Sequence, residues 1–307
     1  MDFLRFLAQH RTPAGEAVFQ FFTYFGQELL IILILCLIYW CLHKKLAYQI
    51  GLTFFASGLL MQILKIAFRI PRPWILDPEF EAVASAVTAA TGYSFPSGHT
   101  QAATALFGTL AIFLKKTWQK VLCILLFLTV GFSRMYLGVH TPKDVLVSMT
   151  LTLFIVFAIS RLVSYMDTHY VSSALIGIVL ALCCVFTAVF AFIFLNQGLI
   201  EEKYAADCLK AAGAGIGFAL SWHLEHTFLN FKTNVSTKKQ IFKFVIGILV
   251  TAVLEFGFKY IIGNGLLLGG LRYFIIVLWA IFLFPMLDKK FSWGFFRFPS
   301  SADADHF

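Results

Sequence analysis

Residues 171–195 read VSSALIGIVLALCCVFTAVFAFIFL, with no charged side chain. About 20 apolar residues cross the hydrocarbon core of a bilayer as one helix, so this stretch argues for a membrane span. Working outward, further apolar runs separated by polar or basic punctuation fall at 17–42, 47–69, 98–114, 121–138, 144–166, 208–229, 241–262 and 270–287. All are expected as helices, because a helix satisfies its own backbone groups inside lipid. The expected fold is all-α: a polytopic integral membrane helical bundle of about nine transmembrane helices, the run at 98–114 being the shortest. Residues 1–10 alternate Phe3, Leu4, Phe6 and Leu7 with polar groups, a pattern that suits a helix lying flat at the interface.

Composition agrees. Of 307 residues, 60% are hydrophobic and 13% charged, and the mean hydropathy is +0.83. A soluble domain carries about 25% charge, so a soluble enzyme, a disordered chain and a secreted disulfide scaffold are excluded. Cys36, Cys41, Cys123, Cys183, Cys184 and Cys208 form no C-x-x-C pair and read as small hydrophobes. Residues 1–15 hold Asp2, Arg5, His10 and Arg11 without a long apolar core, so no cleavable signal peptide is expected.

Lys and Arg number 24 against 16 acidic residues. No dense basic run exists, so nucleic acid is not an expected partner; the excess fits the positive-inside rule. If segments 43–46, 115–120, 161–170, 230–243 and the C-terminus share one side, that side holds thirteen of the 24 cations. Of the remaining eleven, five lie in or beside the motifs below, leaving six. The first side is therefore expected to be cytoplasmic, with the N-terminus outside and the C-terminus inside.

Three clusters fall on the expected outer side. Lys65-Ile-Ala-Phe-Arg69-Ile-Pro71-Arg72-Pro73 closes the second run. Arg72 could grip a phosphate bidentately with Lys65 as a point charge, although snorkelling interfacial cations look the same. Phe95-Pro96-Ser97-Gly98-His99-Thr100 opens the third run. Ser97 suits an N-cap, Gly98 allows close backbone approach, the helix N-terminus attracts anions, and His99 could donate a proton; an ordinary capped helix start is the bland alternative. Ser133-Arg134 precedes His140-Thr141-Pro142-Lys143-Asp144. Thr141 suits a cap and Pro142 the first helical position. His140 and Asp144 are four apart, so a carboxylate can reach the imidazole and leave the other ring nitrogen nucleophilic, or merely cap the helix.

Taken together, K-x6-R-P, P-S-G-H and S-R-x5-H-x3-D resemble the signature of the type 2 phosphatidic acid phosphatase superfamily, with eleven specified positions in order between Lys65 and Asp144. The resemblance covers about 40 to 165. It implies a metal-independent phosphatase with no cofactor, acting on a lipid phosphate or diphosphate through a phosphohistidine. In that scheme His140 is the nucleophile, Asp144 orients it, and His99 protonates the leaving group. Lys65, Arg72, Ser97, Gly98 and Arg134 would hold the phosphoryl oxygens. The implied division is a phosphatase core at 1–170 with additional membrane helices at 171–307, in one integrated domain. The helix count, outer N-terminus and motif placement look most like the glucose-6-phosphatase and sphingosine-phosphate phosphatase branches. The expected setting is a bacterial plasma membrane with the site extracytoplasmic, and the expected partners are a lipid phosphate substrate and membrane lipids; oligomeric state is left open. A sugar phosphate is the alternative substrate and a lipid or phosphate transporter the alternative class, though paired inverted halves are not seen.

Four lesser readings complete the sequence. Asp77 to Gly92 reads as a short helix with Asp77 capping, Pro78 first, and Phe80, Val83 and Val87 on one face. Glu255 and Lys259 read as a structural ion pair. Gly213 and Gly217 form a close-packing face used within the fold. His223, Glu225 and His226 only loosely resemble a metal cluster.

Overall fold

The computed structural model describes residues 1–169, 171–233, 236–261 and 265–291. Among these the chain is helical, with no strand. The elements are α1 (Asp2–Gln9), α2 (Pro13–Thr23), α3 (Glu28–Leu37), α4 (Lys44–Phe68), α5 (Pro73–Leu76), α6 (Ala84–Val87), α7 (Gly98–Phe113), α8 (Thr117–Tyr136), α9 (Pro142–Met166), α10 (Ser173–Asn196), α11 (Glu202–Leu224), α12 (Thr237–Ile261), α13 (Leu266–Leu278) and α14 (Phe284–Phe291). Single π-helical turns at Ile38–Leu42, Glu225–Leu229 and Trp279–Leu283 extend α3, α11 and α13.

Every apolar run is helical, yet by length and composition only six helices can span a membrane among the described residues: Lys44–Leu76, Thr117–Tyr136, Pro142–Met166, Ser173–Asn196, Thr237–Tyr260 and Leu266–Lys290. Pro13–Gly26 and Glu28–Leu42, bent by 53° at their junction, make a seventh if they form one span. The two runs outside this count are α7, only 16 residues long, and α11, which carries Glu202, Lys203, Asp207 and Lys210 in its first turns.

Burial explains how these helices sort. α7 is central: Thr100 through Thr109 are all buried, and it packs on α4, α8 and α9. Its neighbours shield it, so its apolar length need not match a bilayer. α10 is peripheral: Leu175, Ile178, Val179, Leu182, Phe186 and Val189 are exposed on one face, the stripe of a helix turned toward lipid. α11 packs between α10 and α13. A Cβ on Gly213 would lie 2.0 Å from the Gly270 carbonyl oxygen, and one on Gly217 2.7 Å from that of Phe274. The small-residue face thus seats the α13 backbone inside the fold, as its spacing implies.

α4 fixes two ends. Its 25 residues carry the chain about 37 Å at 1.5 Å per residue, from Lys44 to the first motif. At the Lys44 end, the buried Glu225 carboxylate accepts from Lys44 Nζ (2.8 Å), Tyr48 Oη (2.6 Å) and the Phe231 N–H (3.0 Å). Glu225 is therefore a structural anchor of α4 on α11, and among the described residues no acidic, His or Cys group is arranged to hold a metal there. Lys45 pairs with Asp167 at the same end.

Two local readings are corrected. Only Ala84–Val87 of the 77–92 segment is helical. Asp77 is drawn into an ion pair with Arg5 (2.7 Å), and the Val83 N–H is taken by the Leu137 carbonyl (3.0 Å), so the segment is pulled flat onto α8's C-terminal end. Glu255 pairs across helices with Arg272 (3.7 Å) and not with Lys259 on its own helix. All six cysteines are free, and five of them are buried.

Candidate active site

The site is built where α4, α7, α8 and α9 begin or end. Ser97 caps α7: its Oγ accepts from the Thr100 N–H (3.4 Å) and from Thr100 Oγ1 (2.9 Å). Thr141 caps α9 in a capping box with Asp144, and Pro142 follows as the first helical residue. The two helix starts are bolted together. The Ser97 N–H donates to the Asp144 carbonyl (3.2 Å), and Ser148 Oγ donates to the Ser97 carbonyl (2.7 Å).

The turn between α8 and α9 brings Arg134 to His140. The Arg134 carbonyl accepts from the N–H groups of Val139 (3.1 Å) and His140 (3.2 Å). Gly138 makes the turn possible: its φ is +77°, and a Cβ would lie 3.0 Å from the Phe80 ring.

His140 is 1% exposed and Asp144 equally so. Asp144 Oδ2 accepts from Ser94 Oγ (2.6 Å) and the Thr141 N–H (2.8 Å), and lies 3.5 Å from His140 Nδ1. On the other side of the ring, His140 Nε2 meets Arg72 Nη1 at 2.9 Å. Arg72 is itself held by the carbonyls of Gly92 (2.8 Å) and Val139 (3.0 Å). Burial, then the positive charges of Arg72, Arg134 and Lys65, push the His140 pKa well below the usual imidazole range. The imidazole is thus neutral, with a lone pair available at Nε2.

Arg134 is buried; its Nη1 donates to Thr23 Oγ1 (2.6 Å), while Nε and Nη2 have no protein partner. His99 Nε2 is likewise buried without a partner, and the positive charges of Arg134, Arg72 and Lys65 surround it. Lys65 Nζ lies beside the motif backbone, 3.8 Å from where a Gly98 Cβ would sit and 3.4 Å from that of Gly92. The structure therefore gathers Lys65, Arg72, Ser97, Gly98, His99, Arg134, His140 and Asp144 in one place. Arg69 turns away: it ends α4 with φ +50°, and its guanidinium sits 5.3 Å over the Phe194 ring.

Three participants escape the motif reading. Ser94 locks Asp144, Thr23 locks Arg134, and Gly26 lets the α2–α3 bend touch His99, where a Cβ would lie 2.6 Å from the His99 carbonyl oxygen. Ser94 could have been suspected as a small hydroxyl three residues before Ser97; Thr23 and Gly26 sit in an apolar run with no local signal.

A narrow cleft, with room for about one water molecule, lies beside Lys65. Gln62, Lys65 and Ile66 line it from α4, Gly92 and Tyr93 from the loop, and Tyr204 and Asp207 from α11. The arrangement can bind a phosphate dianion with guanidinium and ammonium groups, present a neutral imidazole nitrogen to phosphorus, and offer a second imidazole for proton transfer.

Residues 46–165 match the PAP2 superfamily, and residues 209–294 match the PAP2 superfamily phosphatase transmembrane extension. Sphingosine-1-phosphate phosphatase 2 of Homo sapiens is 26% identical over 220 residues, covering 69% of this chain and 52% of that protein. Its Mus musculus counterpart is also 26% identical over 220 residues, with 59% of that protein covered. Dihydrosphingosine 1-phosphate phosphatase YSR3 of Saccharomyces cerevisiae is 26% identical over 157 residues, 47% of this chain and 37% of that protein. The chain thus spans about half the length of the curated relatives it matches. No solved structure matches it. With its three motifs gathered at one buried site and both superfamily segments in order along the bundle, the chain belongs to the PAP2 superfamily.

Proposed function

We propose that the protein is an integral membrane phosphatase that hydrolyses a lipid phosphate monoester through a covalent histidine intermediate. The observation that carries this reading is the buried His140 ring, with Asp144 behind Nδ1 and the Arg72 guanidinium 2.9 Å from Nε2. A site that only binds phosphate has no use for a neutral imidazole oriented in this way. The names of the relatives support a lipid monoester.

In this reading the phosphoryl group enters between Arg72 and His140. Arg72 swings from Nε2 onto a phosphoryl oxygen while keeping its Gly92 and Val139 anchors, and Arg134 Nε and Nη2 take another. Lys65, Ser97 Oγ and the N–H groups at the start of α7 complete the cradle. The Nε2–phosphorus bond forms as the phosphorus–alkoxide bond breaks, and His99 gives its proton to the departing oxygen. Asp144 stabilises the imidazole as it becomes positive. Water then attacks phosphorus, His99 takes a water proton, and the nitrogen–phosphorus bond breaks to release inorganic phosphate. The donor set favours chemistry without a divalent cation. Lys65, Arg72 and Arg134 supply the positive charge, and the Asp144 carboxylate between the motifs is committed through Oδ2 to Ser94 and Thr141.

The same reading takes all nine helical runs across the membrane, with the site on the extracytoplasmic face. The charge asymmetry between the two ends supports it. Two experiments test the proposal. Purified protein in detergent with EDTA should release phosphate from phosphatidate or sphingosine 1-phosphate in preference to undecaprenyl diphosphate and glucose 6-phosphate, and vanadate should inhibit. Loss of turnover on chelation, restored by magnesium, contradicts the metal-free scheme; phosphate binding without release points to a carrier. In a background without native cysteines, Ser85→Cys should react with an impermeant thiol reagent from outside and Ser236→Cys should not. The reverse pattern places the site in the cytoplasm.

A further inference from the structure

The cleft beside Lys65 holds a contradiction. A site that must attract a phosphate dianion is flanked by the carboxylate of Asp207, which by charge alone repels it. Asp207 does not belong to the motif-bearing helices but to α11. It is held in register there: Tyr204, three residues earlier on the same face, stacks on Tyr93 of the motif loop with ring centroids 4.0 Å apart and planes 15° apart. The carboxylate stays partly open to solvent, at 37% side-chain exposure. Lys210 donates to Oδ1 at 3.1 Å, and among the described residues Oδ2 accepts no hydrogen bond. Lys65 feels the Asp207 charge while its ammonium faces the motif glycines Gly92 and Gly98. One lysine therefore connects the phosphate cradle to a carboxylate with an unused oxygen.

We propose that Asp207 is a specificity-determining residue that binds a positively charged amine carried by the substrate next to its phosphate. The chemistry that fits is a 2-aminoalkyl phosphate monoester, whose ammonium is separated from the phosphate ester oxygen by two carbons. The phosphate lies on Lys65 and Arg72, the ammonium meets Asp207 Oδ2, and the carboxylate that would repel a plain phosphate becomes selective for a zwitterionic head. The helices after residue 170 thus contribute to choice of substrate and not to the phosphoryl chemistry. This inference rests on the phosphatase reading above.

The test compares dihydrosphingosine 1-phosphate with its N-acetyl derivative, which keeps the chain and phosphate but lacks the cation. Full-length protein in detergent should show higher kcat/KM on the free amine. Asp207→Asn should reduce that preference by about tenfold or more, the scale of one charge-assisted hydrogen bond, mainly through KM. Asp207→Glu should retain it. Turnover of the N-acetyl substrate reports that each variant is folded. Equal turnover of both substrates by the wild type overturns the inference, as does an equal loss on both in Asp207→Asn, which would make Asp207 a structural partner of Lys65 and Lys210. Hydrolysis of phosphatidate with none of either sphingoid substrate also overturns it and leaves the phosphatase standing. No turnover of any lipid phosphate removes the phosphatase reading and this inference with it.

Discussion

The two ends of α4 both bury charge, and they do so differently. At the Lys44 end, the Glu225 carboxylate accepts three hydrogen bonds, one of them from Tyr48 Oη, and Tyr39 Oη beside it donates to the Ile281 carbonyl. Every member of that network has its partner in the protein. At the motif end, Arg134 keeps two guanidinium nitrogens unpartnered, His99 Nε2 has no partner, and His140 Nε2 faces a cation. Burying polar groups in this state is costly. A network that is satisfied internally holds helices together; a cluster of unpartnered buried donors and a neutral imidazole is arranged for an anion that the protein does not supply.

Substitutions should separate the two ends. His140→Ala should lower kcat by about 10⁴-fold or more, because nothing else in the site is both nucleophilic and backed by Asp144; phosphate release measured on lipid and aryl phosphates should fall alike. His99→Ala should cost about 10²–10⁴-fold on a lipid phosphate, yet recover partly on an aryl phosphate whose leaving group needs no proton. Equal rescue of both variants would exchange or dissolve the assigned roles. At the other end, Glu225→Ala removes the ion-pair partner of Lys44 and the acceptor of Tyr48 Oη and the Phe231 N–H, and should cost about 3 kcal/mol of stability, seen as a lower thermal midpoint in detergent, with turnover per folded molecule unchanged. A loss of turnover without a loss of stability would erase the contrast between the ends.

The smallest expected effect is a shift in pH dependence. In the proposed mechanism the neutral form of His140 is the nucleophile, and its pKa is held down by burial first and by Arg72 next. The free enzyme therefore keeps its nucleophile deprotonated to lower pH than an ordinary imidazole would. Arg72→Gln removes one depressing charge, so the His140 pKa rises and activity is lost earlier on acidification. The acid limb of kcat/KM should move to higher pH by up to about one unit, against a wild-type profile on the same substrate. A limb that stays in place, or moves down, removes His140 as the titrating group.

Much of this was legible in the sequence because it obeys local rules. Apolar length announces helices, and Ser97 and Thr141-Pro142 announce helix starts, which places His99 two residues after one cap and His140 one residue before the other. What was not legible depends on distant partners. Asp77 still accepts the Glu79 N–H on Oδ1, but Arg5 holds Oδ2 and no helix follows, and Glu255 looks paired with Lys259 until α13 brings Arg272. Thr23 and Gly26 carry no signal, since their part arises only when the α2–α3 bend reaches Arg134 and His99. Apolar runs also do not distinguish a lipid-facing helix from α7, which its neighbours shield.

The most direct test of the central claim is a rapid-quench experiment with a lipid phosphate labelled on phosphorus. The wild type should yield an acid-labile, base-stable phosphoenzyme that forms before free phosphate and is absent from His140→Ala. It should accumulate in proportion to the active sites. Label trapped equally in His140→Ala, or steady phosphate release with no phosphoenzyme at any time, would contradict a covalent histidine mechanism at this site.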